Sequence, residues 1–261
     1  MRGLEYLWRL FGTGFSFALF GLGGLALSLT AFPVTNLLIK APARRADLAQ
    51  RLVHRAFRVY VRLMIMMGVI NFDVSGAEKL AGDRGTLIVA NHPTLLDVVL
   101  LMSLMERAQC IVKSAIWRNP FMRSVVSATD YIRNDDDPEG LIEDCVAALK
   151  DCNNIIVFPE GSRTVPGVPM KLQRGVANVA LRADAPIRLV TIRCEPSTLR
   201  KGQKWYDIPA KRAHFFIAVH ELIEPGRFSG DAPSSAIAAR RLTTYLGDLL
   251  RERVANGPVG S

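Results

Sequence analysis

Thirty consecutive positions, 10–39, carry no charged side chain. A helix that crosses a bilayer needs about twenty, so this run predicts a membrane-anchoring segment. Gly12, Gly14, Gly21, Gly23 and Gly24 loosen it, and Pro33 is placed to break it. Two arrangements satisfy the pattern: a single tilted span, or a helix that lies in or dips into one leaflet with residues 48–70 as its partner. The run far exceeds the roughly 7–15 apolar residues of a cleaved signal peptide, which argues against that reading.

Beyond residue 71 the pattern changes to short apolar runs separated by polar turns. Residues 72–75, 86–90, 109–113, 155–158, 187–193 and 214–220 are rich in β-branched or aromatic side chains and predict strands. Residues 139–150, 175–183 and 234–254 predict helices. In the last of these Ile237, Leu242, Tyr245, Leu246, Leu249 and Leu250 fall at helical spacing and predict a packing role. Thr94 is placed to cap a helix running to Met102, and Asn119, Pro120 and Phe121 to start a short one. This alternation predicts an α/β domain over 72–255: a mixed, largely parallel sheet flanked by helices. It is preceded by an N-terminal helical membrane anchor with a basic amphipathic helix (1–71) and followed by a disordered tail (256–261).

Composition sharpens the first seventy residues. Of 261 residues 49% are hydrophobic and the net charge is +9, with a mean hydropathy above zero. For a basic chain this favours membrane contact. Residues 40–63 hold Lys40, Arg44, Arg45, Arg51, Arg55, Arg58 and Arg62 against one acid, Asp47. Arg51, Arg55, Arg58 and Arg62 recur at steps of four, three and four, hence along one helical stripe, with Leu52, Val59, Leu63, Met66 and Met67 elsewhere on the helix. Beside an apolar anchor the stripe suits anionic lipid headgroups, each base contributing about 1 kcal/mol there. The positive-inside bias then puts the catalytic domain on the cytoplasmic side, and the excess of Arg over Lys suggests a GC-rich bacterial source and so a bacterial inner membrane. Nucleic acid is excluded as a partner: the bases cluster beside the anchor and no recognised binding motif is present. Cys110, Cys145, Cys152 and Cys194 are scattered without a CxxC or a histidine pairing, and read as reduced thiols.

Candidate chemistry sits where two strands stop. The 86–90 run ends in Asn91, His92 and Pro93, and Asp97 follows within reach of the imidazole. A histidine, with an ordinary pKa of about 6.5, takes and returns protons at cellular pH. A carboxylate behind one ring nitrogen would fix its tautomer and stabilise the imidazolium. The 155–158 run ends in Pro159 and delivers Glu160, Gly161, Ser162 and Arg163 to a second strand end, the edge where α/β sheets gather ligands. Arg163 can grip a phosphate bidentately and Gly161 permits close backbone approach. Residues 134–138, NDDDP, invite a metal reading, but acids ahead of a helix suit its dipole and read as a solvated N-cap. No metal site is expected, and His54, His214 and His220 read as structural.

Together the two turns carry a resemblance. Asn91-His92-Pro93-Thr94-Leu95-Leu96-Asp97 and, about seventy positions on, Phe158-Pro159-Glu160-Gly161-Ser162-Arg163-Thr164 resemble the motifs of the glycerolipid acyltransferases typified by lysophosphatidic acid acyltransferase. Arg133 after an apolar pair, and Ala185-Pro186-Ile187, are looser matches; the likeness covers about residues 72–220. The chain departs from the pattern at Ser127, where members usually have Gly, and at Leu189, where they have a second Pro. Both departures bear on the acceptor more than on the reaction. The resemblance implies that His92, oriented by Asp97, deprotonates an acceptor hydroxyl that attacks the thioester of acyl-CoA or acyl-carrier protein, the co-substrate, without any cofactor. It implies that Glu160, Gly161, Ser162 and Arg163 hold the acceptor's phosphate or glycerol. Arg133, Lys113, Lys171 and Arg174 are further anion-binding candidates, and a helix-start amide near Thr94 is one source of an oxyanion donor. The implied acceptor is a lysophospholipid, foremost 1-acylglycerol 3-phosphate, giving phosphatidic acid. Another lyso-lipid such as a lyso-ornithine lipid, or a non-catalytic membrane-binding module, are the alternatives.

Overall fold

The computed structural model describes residues 2–118, 123–135, 137–165, 167–230 and 232–257. Three helices come first: α1 (Arg2–Leu29), α2 (Ala31–Leu38) and α3 (Pro42–Met66). The apolar run breaks at Thr30 rather than at Pro33. A proline within a helix's first turn lacks only a donor that is orphaned anyway, so Pro33 is accommodated as the third residue of α2 while it prevents fusion with α1.

The rest alternates strand and helix, with α4, α6 and β4 beyond what the pattern predicts: β1 (Ile70–Ser75), α4 (Glu78–Gly82), β2 (Leu87–Ala90), α5 (Asp97–Met102), β3 (Gln109–Lys113), α6 (Ser114–Trp117), α7 (Arg123–Ala128), β4 (Ile132–Asn134), α8 (Pro138–Lys150), β5 (Ile155–Val157), α9 (Gly175–Ala183), β6 (Ile187–Glu195), β7 (Ala213–Ile223), a 3-10 turn (Pro225–Phe228) and α10 (Ser235–Ala255). The seven strands form one sheet in the order β1-β7-β6-β2-β5-β3-β4. Every neighbouring pair is parallel except β6–β7. The sheet is therefore mixed and largely parallel, with helices on both faces.

Successive β2 residues face opposite layers, and all four are buried. Ile88 and Ala90 join a core with Ile156, Phe215 and residues of α3 and α5. Leu87 and Val89 join another with Ile155, Leu189 and residues of α8, α9 and α10. This is why β2 reads as an unbroken apolar run. The sheet is interrupted at one place. β3 pairs with β5 only at Gln109–Ile155 and Cys110–Ile156, and its later residues pair only with β4. The two strands part toward their C-terminal ends and leave a gap in the sheet there.

Local chemistry explains the helix starts. Asp137 caps α8 by accepting from the Gly140 amide at 3.1 Å, as the acidic run suggests. Ser234 likewise caps α10. By contrast α5 begins at Asp97, not at Thr94, because the Thr94 amide and hydroxyl both turn toward Asp97. The short helix expected at 119–121 lies outside the described residues, as do residues 258–261 of the expected tail; Gly257 is tethered, its carbonyl accepting from Arg193 at 2.7 Å.

Among the described residues one helical run, Gly3–Leu38, is long and apolar enough to cross a membrane. Its first half lies along the domain. Trp8 Nε1 donates to Met67 O at 2.7 Å, Arg9 donates to the carbonyls of Pro209 and Ala210, and Tyr60 Oη donates to Ser16 O at 3.1 Å. The opposite face exposes Leu4, Leu7, Phe11, Phe15 and Leu22. Docking depends on Gly12, where a Cβ would sit 2.8 Å from Val69 Cγ2. The variant Gly12→Val should therefore lose about 1–3 kcal/mol of stability through overpacking against a stiff side chain. Thermal unfolding in detergent measures it, and an unchanged Tm would show that α1 does not depend on this contact.

Candidate active site

His92 and Asp97 meet as their spacing suggests. Nδ1 of His92 lies 2.8 Å from Asp97 Oδ2, and the same oxygen accepts from the Thr94 amide at 2.7 Å while Oδ1 accepts from Thr94 Oγ1 at 2.6 Å. With Oδ2 already an acceptor, Nδ1–H is the donor of the pair. Nε2 is then left with its lone pair available. Asp97 is wholly buried, whereas the His92 side chain keeps 18% of its surface open. Burial pushes the Asp97 carboxyl above its ordinary range, and the bonds from His92 and Thr94 only partly oppose it. The imidazole stacks on Phe158, with ring centroids 4.2 Å apart.

The second turn is fastened to the first through the backbone of His92. Its amide donates to Glu160 Oε1 at 3.0 Å, and its carbonyl accepts from the Thr164 amide at 2.7 Å. Thr164 Oγ1 donates to the same Glu160 oxygen at 2.7 Å. Gly161 turns the chain with φ +67°, a conformation glycine adopts without a side-chain clash. Asn91 anchors the other side, since its amide group exchanges two hydrogen bonds, 2.8 and 2.7 Å, with the backbone of Ile192 on β6. The Asn91 side chain thereby continues the sheet ladder one residue past the end of β2.

Arg163 comes to the same place. Its Nη1 donates to the carbonyls of Leu199 and Arg200 at 2.9 and 3.0 Å. Leu199 also accepts from the Leu95 amide at 3.1 Å, and it presents its carbonyl from a left-handed backbone, φ +51°. That conformation costs a leucine about 1–2 kcal/mol and is held by the two donors it serves.

His92, Gly161, Ser162, Arg163 and Lys113 line one cavity of about 760 Å³. Its walls are otherwise mainly apolar and reach both faces of the sheet, through the gap between β3 and β5: Phe17, Phe20, Phe57, Met102 and Tyr131 on one side, Leu87, Ile142 and Val176 on the other. Cys110 and Cys145 also line it, and burial pushes both thiols up to about 12, so neither offers a thiolate nucleophile.

These contacts also place the other residues singled out from the sequence. Glu160 braces His92 and Thr164. Arg133 does not line the cavity but pairs with Asp135 at 2.7 Å, and Lys171 and Arg174 also stand outside it. The amides of Thr94, Leu95 and Leu96 are engaged, by Asp97, by Leu199 and by Thr94 Oγ1 respectively, and so are not free to serve as oxyanion donors. Ser127 is exposed and Leu189 is core, so neither departure from the family pattern faces the cavity. The other histidines sit elsewhere: His54 on Met102 O, His214 on Asp73 and His220 on Thr191. Sequence reasoning missed the bracing by Asn91, Thr164 and Leu199, and it missed Lys201, which lines the mouth. Only the two motif residues carried a signal, being polar side chains at strand ends.

Residues 71–193 match the family model described as Acyltransferase. That segment is similar to the acyltransferase family and holds both motif turns. Similar curated proteins are a chloroplastic 1-acyl-sn-glycerol-3-phosphate acyltransferase of Brassica napus, 26% identical over 125 residues, covering 46% of this chain and 36% of that one. A 1-acyl-sn-glycerol-3-phosphate acyltransferase of Cocos nucifera is 28% identical over 129 residues, covering 47% and 42%. This chain thus matches less than half the length of these relatives. Its fold is similar, with a TM-score of 0.73 and 18% identity over the whole of both chains, to the crystal structure of the 1-acyl-sn-glycerophosphate acyltransferase of Thermotoga maritima. The matched segment places both motif turns at one end of the sheet.

Two substitutions test how the domain holds its histidine. Asp97→Asn should lower any turnover that uses His92 as its base by about 10²–10⁴. Its effect on stability has the opposite sign. A carboxyl whose folded pKa is raised binds its proton more tightly when folded, so stability falls as pH rises from about 3.8 through the folded value. The neutral amide removes that loss, so Tm at pH 7 should equal or exceed that of the wild type. Glu160→Gln keeps an acceptor oxygen for the His92 amide and Thr164 and should retain most activity, whereas Glu160→Ala should not. Equal losses in the two would show that the charge, not the brace, matters.

Proposed function

We propose that this chain transfers a fatty acyl group from the thioester of acyl-CoA or acyl-carrier protein to the free hydroxyl of a lysophospholipid, foremost 1-acylglycerol 3-phosphate, forming phosphatidic acid. The observation that carries the reading is the single cavity that joins a carboxylate-backed imidazole to long apolar walls and a cationic mouth. An acyl chain suits the walls, and a phosphate suits Arg163, Lys113 and Lys201.

In this reading His92 Nε2 accepts the acceptor's hydroxyl proton as that oxygen attacks the thioester carbonyl carbon. The imidazolium is stabilised by the Asp97 carboxylate. The tetrahedral intermediate collapses, the C–S bond breaks, and the departing thiolate takes the proton back from His92. No acyl-enzyme and no cofactor take part. The Ser162 hydroxyl is the donor suited to the oxyanion.

Membrane association belongs to the same proposal. A helix whose inner face packs on the domain cannot be ringed by lipid, so α1 is read as lying in one leaflet with α3 as its partner. Arg51, Arg55, Arg58 and Arg62 are exposed along α3, which supports contact with anionic headgroups on the cytoplasmic side of a bacterial inner membrane.

The test is a panel of lyso-lipids with acyl-CoA. Wild type should release thiol with phosphate-bearing acceptors, and His92→Ala should abolish it; turnover surviving in His92→Ala would remove the base. Arg163→Ala should raise KM for phosphate-bearing acceptors by about tenfold or more and spare phosphate-free ones. Equal effects on both would take the phosphate away from Arg163.

A further inference from the structure

Between β6 and β7 runs a loop, 196–212, that lies outside the family-matched segment. It exposes the bases Arg200, Lys201, Lys204 and Lys211 against one acid, Asp207. At its tip Trp205 and Tyr206 are 45% and 46% exposed, far more than aromatic rings in a soluble surface need be. They stand edge to face at 5.5 Å, and Lys204 Nζ lies 5.4 Å over the Tyr206 ring.

The tip is held in place. Trp205 packs on Phe17 of α1, with centroids 6.2 Å apart, and over Gly14, where a Cβ would sit 3.1 Å from the indole. Gln203 closes the turn, accepting from the Arg200 amide at 3.0 Å and donating to Asp207 O at 2.6 Å. Arg9 of α1 holds the loop's far end through Pro209 and Ala210. The aromatic pair therefore flanks the outward apolar row of α1, in which Phe11 and Phe15 are exposed.

Amphipathic rings beside a long apolar helix face, fringed by cations, match the layering of an anionic bilayer: acyl chains, then the interface favoured by Trp and Tyr, then phosphates. We propose that residues 200–206 are a second membrane contact. They seat Trp205 and Tyr206 at the interface of an anionic bilayer, with Arg200, Lys201 and Lys204 on the lipid phosphates. The proposal rests on the membrane association of α1 and α3 and not on the acyl-transfer chemistry. It gives the loop a part in the site, because Lys201 lines the cavity mouth and the carbonyls of Leu199 and Arg200 hold Arg163. Seating the loop sets that mouth at phosphate depth.

Trp205 is the only indole left when Trp8 and Trp117 are replaced by Phe. In that background the full chain is mixed with phosphatidylglycerol–phosphatidylcholine vesicles containing lipid brominated high on its acyl chains. Trp205 emission should shift to the blue and be quenched; vesicles that sediment with the protein while Trp205 stays unquenched would overturn the proposal. Independently of those replacements, Arg200→Gln, Lys201→Gln and Lys204→Gln combined should weaken binding to anionic vesicles by about tenfold or more, with binding to pure phosphatidylcholine little changed. Unchanged binding to the anionic vesicles would overturn it, as would retained vesicle binding with lost use of acyl-carrier protein, which would make the loop a protein-docking surface.

Discussion

Both halves of the His92 peptide backbone are bound by the turn that carries Arg163. The amide reaches Glu160 and the carbonyl receives Thr164, so the parallel pairing of β2 with β5 is prolonged past the end of both strands. Two turns separated by sixty-eight positions behave as one body for this reason. The single acidic side chain in the second motif makes this possible, because one carboxylate oxygen can accept from a peptide and a hydroxyl together. Everything the cavity can do depends on that seam: it fixes the imidazole's backbone, and Phe158 and Asp97 then leave its ring little rotational freedom.

Asp97 illustrates what such a site costs the fold. A carboxylate with no exposed surface loses its hydration, and three hydrogen bonds replace only part of it. A neutral residue of the same shape would suit the core better. The charge is retained where it supports the imidazole, a case of stability traded for chemistry.

Much of this was legible in the sequence, and for identifiable reasons. β3 and α9 have the predicted boundaries because charge or glycine punctuates each end, as at Lys113 and Gly175. Pro93 and Pro159 stop their strands and so mark both turns. The sheet order was not legible. β7 is inserted between β1 and β6, parallel to the first and antiparallel to the second, and alternation along a chain carries no information about which strand lies beside which. The surroundings of Arg133 were not legible, because a cation after an apolar pair looks the same whether it faces a cavity or, as here, a neighbouring aspartate. Leu199 was beyond reach altogether: its contribution is a carbonyl, which every residue has, aimed by a backbone angle that leucine seldom adopts.

The first helix has two sides with different neighbours. Phe17 and Phe20 form part of the cavity wall, while Phe11 and Phe15 look outward from the same helix. In the proposed function, with lipid on the outer side, a hydrocarbon tail moving into the cavity would exchange one oily solvent for another. The gain of about 0.8 kcal/mol per methylene that drives a chain out of water is then nearly absent. Longer tails would not be held more tightly merely for being longer, and discrimination among them would fall to the shape of the cavity's far walls, where an extra carbon either finds room or does not.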